Sequence, residues 1–333
     1  MEERKRDHID LAFASQTPGE NLDRRFAYEP MLSAHPNETT IPITDFLGKK
    51  QKLPMWVSSM TGGTKMAGII NRNLAKVCRE FGIGMGLGSC RIIMDDDTYF
   101  PDFDMRDIIG EEQPFYANLG INQLEILLMN KQTDKIISLV EKLRADGLII
   151  HVNPFQEWFQ PEGDRLIRPP IESVQELLES VKFPIMVKEV GQGMGKESLR
   201  ALLKLPIGAI EFGAFGGTNF AKVELLRNKE QPAELFEPLS YIGHDAIEMV
   251  DLINQIVDEE GEKIQCKQLI VSGGIKSFLD GYYLIKKSKI PAIYGQASTF
   301  LKYAKEDYPS LHQFVKQQIK GLLMAYAYLR VND

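Results

Sequence analysis

Apolar residues come along the chain in eight short runs, most of them stopping at glycine, serine or asparagine. The runs are LPMWVSS (53–59), GIGMGLGS (82–89), PFYANLG (114–120), GLIIHVN (147–153), FPIMVKEV (183–190), GAIEFGAFGG (208–217), QLIVSGG (268–274) and PAIYGQA (291–297). Near-continuous apolar runs of this length read as strands covered on both faces, the pattern of parallel sheets. Between them the apolar residues recur at helical spacing. The segment 71–81 places Leu74, Val77, Cys78 and Phe81 on one face, and 132–146 does the same with Ile136, Leu139, Val140 and Leu143. Segments 172–181 and 196–205 repeat the pattern.

Eight strands alternating with helices over about 250 residues predict a (β/α)8 barrel. A doubly wound open sheet is the competitor. It usually has fewer strands and opens a helix with a GxGxxG turn after the first, and GIGMGLGS matches that turn only loosely because most of it is strand. Two stretches fall outside the repeat: 1–52 precedes the first strand, and 216–267 separates strands six and seven by roughly twice the usual spacing. No linker composition divides the chain, so residues 1–333 are expected to form a single barrel domain with an N-terminal extension and an insertion after strand six.

Composition narrows the class. Apolar residues make up 44% and charged residues 26% of the 333, as in globular proteins with a sizeable core. The net charge of −7 argues against nucleic acid or an anionic membrane as partner. No apolar run approaches the ~18 residues of a membrane span. Three cysteines without CxxC spacing argue against a disulfide framework or a zinc site. MEERKRDHID has no apolar leader core, and a cytoplasmic protein is expected.

Reactive groups in such barrels stand at the carboxyl ends of the strands, and that is where polar residues collect here. His151, Asn153, Gln156, Glu157, Glu162 and Asp164 crowd the fourteen positions that close the fourth strand. Ser58, Ser59 and Thr61 follow the first strand, Ser89 and Arg91 the second, and Asn118 lies in the third. Lys188 interrupts the apolar fifth, and Thr218 follows the sixth. Gly273–Gly274 and Gly295–Gln296 mark the seventh and eighth, giving glycine turns able to offer amides to a phosphate. A buried lysine is costly unless paired. Glu189 would be its nearest partner, but neighbouring strand residues face opposite ways, so Lys188 is expected as a lone cation facing an electron-rich ring. The run Arg4, Lys5, Arg6 and His8 reads on composition as a solvated basic tail. Cys90 reads either as a nucleophile beside Arg91 or as a buried inert thiol.

Taken together, RKRDHI (4–9), SSMTGGT (58–64), GLGSCR (86–91), ANLG (117–120), HVNPFQEWFQPEGDR (151–165), VKEVGQGM (187–194), GAFGGTNFAKVE (213–224), SGGI (272–275) and YGQA (294–297) resemble the type 2, FMN-dependent isopentenyl diphosphate isomerases over nearly the whole chain. The resemblance implies interconversion of isopentenyl and dimethylallyl diphosphate with reduced FMN as acid/base, Mg2+ on the diphosphate, and NADPH to reduce the flavin. It further implies a homotetramer or homo-octamer. By the same resemblance Ser59, Met60, Thr61, Ser89, Asn118, Lys188, Thr218, Gly273, Gly274, Gly295, Gln296 and Ala297 are flavin ligands. Arg4, Lys5, His8, Arg91, His151, Asn153 and Gln156 are substrate ligands, and Glu157 is a metal ligand. Gln156 and Glu224 are the expected catalytic residues. This reverses the tail reading of the N-terminal run. Cys90 stands where the family usually has Gln, and Phe220 where it has Trp, which bears on pocket shape. The alternative on the same fold is an FMN oxidoreductase of the 2-hydroxy acid oxidase type. That chemistry wants a late histidine base, and no histidine lies between 245 and 311.

Overall fold

The computed structural model describes residues 2–59, 62–161, 163–228 and 233–332. All eight expected strands form: β1 Met55–Val57, β2 Gly84–Gly86, β3 Phe115–Gly120, β4 Gly147–Val152, β5 Ile185–Glu189, β6 Ala209–Glu211, β7 Leu269–Ser272 and β8 Ala292–Gln296. They pair in parallel and in chain order, and β8 closes on β1 as a barrel. The open-sheet competitor is thereby excluded. The second run was expected over 82–89 but only its three-residue centre is strand. Gly84 and Gly86 leave room there: a Cβ at the first would lie 2.4 Å from the Trp56 ring, and at the second 2.4 Å from Ile149 Cδ1.

Three of the four expected helices run close to their expected bounds, and the first, expected over 71–81, starts six residues earlier. Lys65–Phe81 begins at Thr64, whose hydroxyl accepts from Ala67 N, and ends at Gly82 in the left-handed region (φ 69°). The others are Thr133–Lys142, Pro170–Ser180 and Lys196–Leu203. Their apolar faces join the outward residues of the strands, such as Leu148, Ile150, Ile185 and Val187, in one large core.

The inward residues make a second, smaller core of Phe46, Trp56, Tyr116, Ile149, Met186, Ala209, Ile270 and Ile293. Seven of these eight come one from each of seven barrel strands. Phe46 is the exception. It belongs to an antiparallel hairpin, Thr44–Phe46 with Lys49–Gln51, that seals the amino-terminal end. Leu47 N donates to Gln268 Oε1, Gly84 N donates to Gln51 Oε1, and Lys49 pairs with Asp146 at 2.7 Å. Each partner stands at or just before a strand start, so the floor is closed and only the opposite end is open.

Residues 216–267 carry the helices Phe220–Arg227, Ala233–Phe236 and Ala246–Glu260. Phe26–Tyr28 pairs with Leu329–Val331 on the outside. No helix among the described residues is long and apolar enough to cross a membrane.

Candidate active site

Side chains alternate along a strand with period two, so the residue two places beyond each inward apolar one also faces inward, nearer the open end. Trp56 leads to Ser58, Tyr116 to Asn118, Ile149 to His151, Met186 to Lys188, Ala209 to Glu211, Ile270 to Ser272 and Ile293 to Gly295. Above an apolar layer the barrel therefore turns polar all at once, and this layer is the floor of the mouth.

Two cavities open on it. The larger, about 270 Å³, is walled by Gly216–Thr218, Gly273–Lys276 and Gly295–Thr299. The smaller, about 140 Å³, is lined by Ser89, Asn118, His151 and Gln156 among others. They share Ser59, Lys188, Val190 and Phe220, so they form one trough. Ser89 continues it to an open groove beside Arg91.

The larger cavity offers glycine turns and an uncapped helix start, groups able to take an anion. Gly273 and Gly274 hold φ of 89° and 70°, and a Cβ on Gly273 would lie 2.1 Å from Ala214 O. The helix Ser298–Glu306 starts at Ala297 with no side-chain cap, leaving its first amides to face the cavity. Lys276 also lines this end and was not singled out in the sequence. The buried oxygens Ser58 Oγ, Ser59 Oγ and Gln296 Oε1 make no hydrogen bond among the described residues. Such orphan atoms are expensive unless a ligand completes them.

Around the smaller cavity, Asn118 Oδ1 lies 2.7 Å from His151 Nδ1. A carbonyl oxygen can only accept, so Nδ1 carries the proton and Nε2 keeps its lone pair. Burial first, and the Lys188 charge second, push the imidazole down to about 4. Asn153 is buried, and its Nδ2 donates to Gln156 Oε1 at 3.0 Å and to Glu157 Oε1 at 3.1 Å. Asn153 thus pins the oxygen end of the Gln156 amide. Glu157 Oε2 accepts from Asp164 N. Burial, with the Asp164 charge adding, raises the Glu157 carboxyl against those two hydrogen bonds. Arg91 reaches Asp164 Oδ2 at 3.4 Å.

Three expectations change. Lys188 is not a lone cation. Its Nζ donates to Glu189 O, while the Glu189 carboxylate faces away and takes amides 191, 192 and 193 at 2.6 to 2.8 Å. On the inner side Lys188 is in register with Glu211, a fully buried carboxyl absent from the expected set. Glu224 lines neither cavity. It accepts from Gln160 and pairs with Arg227, tying the helix Phe220–Arg227 to the loop after β4. Arg4, Lys5 and His8 lie on the helix Glu2–Leu11, exposed along its described length, and the structure does not bring them to the trough. Met60, Thr61 and Glu162 lie outside the described residues. Cys90 is buried, its thiol pushed up to about 12 by burial, which answers the nucleophile question in favour of an inert thiol.

The fold and mouth define a (β/α)8 barrel, a fold also found in flavin-binding proteins. A mandelate oxidase variant with an FMN monooxide adduct matches 99% of this chain and 98% of its own at a TM-score of 0.57 and 17% identity. The flavin-binding domain of baker's yeast flavocytochrome b2 matches 91% and 72% at 0.60 and 13%. No protein-family model matches the sequence. The isopentenyl-diphosphate delta-isomerase of Rickettsia felis is 32% identical over 96% of this chain and 90% of its own. That of Rickettsia akari is 33% identical over 90% and 85%. The chain belongs to the isopentenyl-diphosphate delta-isomerase family and is an isomerase.

Proposed function

We propose that the chain interconverts isopentenyl and dimethylallyl diphosphate by a 1,3-allylic proton shift, with FMN and Mg2+. The observation that carries this reading is the single trough, anion cradle at one end and neutral hydrogen-bonding groups at the other, with Lys188 between. When bound, the reduced flavin would supply an electron-rich face with an acid–base position and no competing nucleophile.

The chain's own residues would do the rest. The amides of Gly273, Gly274 and Ser298 would take the FMN phosphate, and Lys188 would face the ring edge where negative charge gathers. His151, Asn153 and Arg91 would hold the diphosphate. Gln156, its oxygen held by Asn153, would turn its NH2 towards the reacting carbons and position the moving proton. Among the described residues no three histidine, cysteine or acidic side chains make a metal site. Mg2+ would arrive with the diphosphate, Glu157 adding one oxygen, as suits an ion that prefers phosphates and water. Glu224 would act through Gln160 by fixing the helix that carries Gln156. Arg4, Lys5 and His8 would meet the substrate only if their helix folds over the mouth. NADPH would serve only to reduce the flavin. The reading carries with it a cytoplasmic homotetramer or homo-octamer.

The oxidase alternative rests on the shared fold. The test is product formation followed by proton NMR with FMN, Mg2+ and a trace of NADPH. Many turnovers per NADPH are expected, and one NADPH oxidised per product would sink the isomerase reading.

A further inference from the structure

Among the described residues Glu211 is the one carboxyl in the polar layer of the barrel interior, and the proposed reaction does not use it. It is fully buried. On one side stands Lys188, its register partner on β5. On the other, Ser272 of β7 lies with Oγ 3.3 Å from Glu211 Oε1. Gly213 N donates to the same hydroxyl, which leaves the Ser272 proton for the carboxylate. Glu211 Oε2 has no partner within hydrogen-bond limits among the described residues; Trp56 Nε1 of β1 and Ser58 Oγ just after it lie close enough to favour the ionised carboxyl and likewise make no hydrogen bond within those limits. The titratable group facing Glu211 from its neighbours is therefore Lys188, with His151 beyond it on β4. The remaining groups around it are hydroxyls and an indole.

A buried charge is tolerated only when balanced. With a neutral ring over Lys188, an ionised Glu211 and the ammonium cancel. When that ring takes on a negative charge, the ammonium is balanced from above and an ionised Glu211 becomes surplus. We propose that Glu211 takes up one proton from solvent when the ring held against Lys188 becomes negatively charged, and returns it when that charge is removed. Ser58 and Ser272 are the route, since both touch the carboxyl's surroundings and both line the larger cavity. Burial already tilts Glu211 towards its neutral form and Lys188 opposes it, so a change at Lys188 suffices to move the balance.

The inference rests on the FMN reading above. Its balance is simple. Two electrons and one proton enter the ring, leaving one negative charge, and a second proton converts the Glu211 carboxylate to the acid. Dithionite supplies the electrons in the test.

The experiment is redox potentiometry of the FMN-loaded protein, read by flavin absorbance. Each proton taken up per two electrons lowers the midpoint by ~30 mV per pH unit, so the wild type should fall by ~59 mV per unit over part of the range from about pH 5.5 to about pH 8.5. Glu211→Gln should fall by ~30 mV per unit throughout, while Glu211→Asp, which keeps a carboxyl, should retain the steeper slope. A wild-type slope of ~30 mV per unit across the range overturns the inference, as does a Gln variant as steep as wild type. If the Gln variant does not hold flavin, the wild-type slope and the Asp variant still decide. A wild-type chain that binds no FMN fails the reading beneath, and the inference with it.

Discussion

Acid should strip stability from this protein through His151. The neutral ring, its Nδ1–H donated to Asn118, is held at about 4 against an ordinary 6.5 by burial first and by the nearby Lys188 charge second. The folded state therefore binds its proton less readily than the unfolded chain does. Above the unfolded value neither state is protonated and the full stability is present. As pH falls from 6.5 to about 4 the unfolded chain gains a proton that the fold refuses, and stability is lost until both are charged. At ~1.36 kcal/mol per unit the ceiling is about 3 kcal/mol. The ring edge opens on the smaller cavity, where water screens it, so about 1 to 2 kcal/mol is expected. Chemical denaturation of the flavin-free protein at the two ends of that window, compared with His151→Gln, isolates the term, because the amide can still bond Asn118 but cannot titrate. The imidazole C2 proton read by NMR gives the midpoint directly. Pyrophosphate should move that midpoint upward by offsetting Lys188. A His151 that titrates near its ordinary value, or a variant that loses as much stability in acid as wild type, would refute the electrostatic argument.

Other expectations are as direct. Gln156→Ala should lower turnover by ~10²–10⁴-fold with flavin content unchanged; a near-normal rate, or wild-type exchange of deuterium from heavy water into substrate, would remove Gln156 from proton transfer. Glu157→Gln should raise the Mg2+ concentration needed for half-maximal rate, since an amide is a weak ligand for a hard dication; an unchanged requirement would exclude it from the metal site. Gly273→Ala should cost several kcal/mol, about 1–3 of it from positive φ alone, and should release flavin, because its Cβ would meet the Ala214 backbone; normal flavin retention by a stable variant would dissolve the cradle argument. The flavin should leave the protein on acid precipitation, and a yellow pellet would mean covalent attachment.

The barrel was legible because its signal repeats: eight continuous apolar runs with helical faces between them admit few closures. The glycine cradle and the crowded loop after β4 were legible for the same reason, as strand ends can be counted. Glu211 was missed although its position was available. It stands two places past Ala209, as Lys188 does past Met186, but the run GAIEFGAFGG hid it among glycines that drew attention to its far end. Lys188's partner could be found only by register between neighbouring strands, which separates Lys188 and Glu211 by 23 positions in the chain yet sets them side by side. The placement of Glu224 depended on a contact with Gln160 across 64 positions, which no local pattern encodes. The N-terminal basic run resisted both readings, since an exposed helix carries no packing from which to infer a partner.

The hairpin that floors the barrel bears on how the chain assembles. Leu47 bonds to Gln268 across 221 positions, while Phe46 packs on Trp56 within an apolar cluster drawn from seven strands. That landing surface does not exist until strands from both ends of the sequence have met, and long-range closures of this kind are slow to form. Burial of Phe46 is therefore a clock mark for ring closure, and a fragment ending before β7 has nowhere to put it.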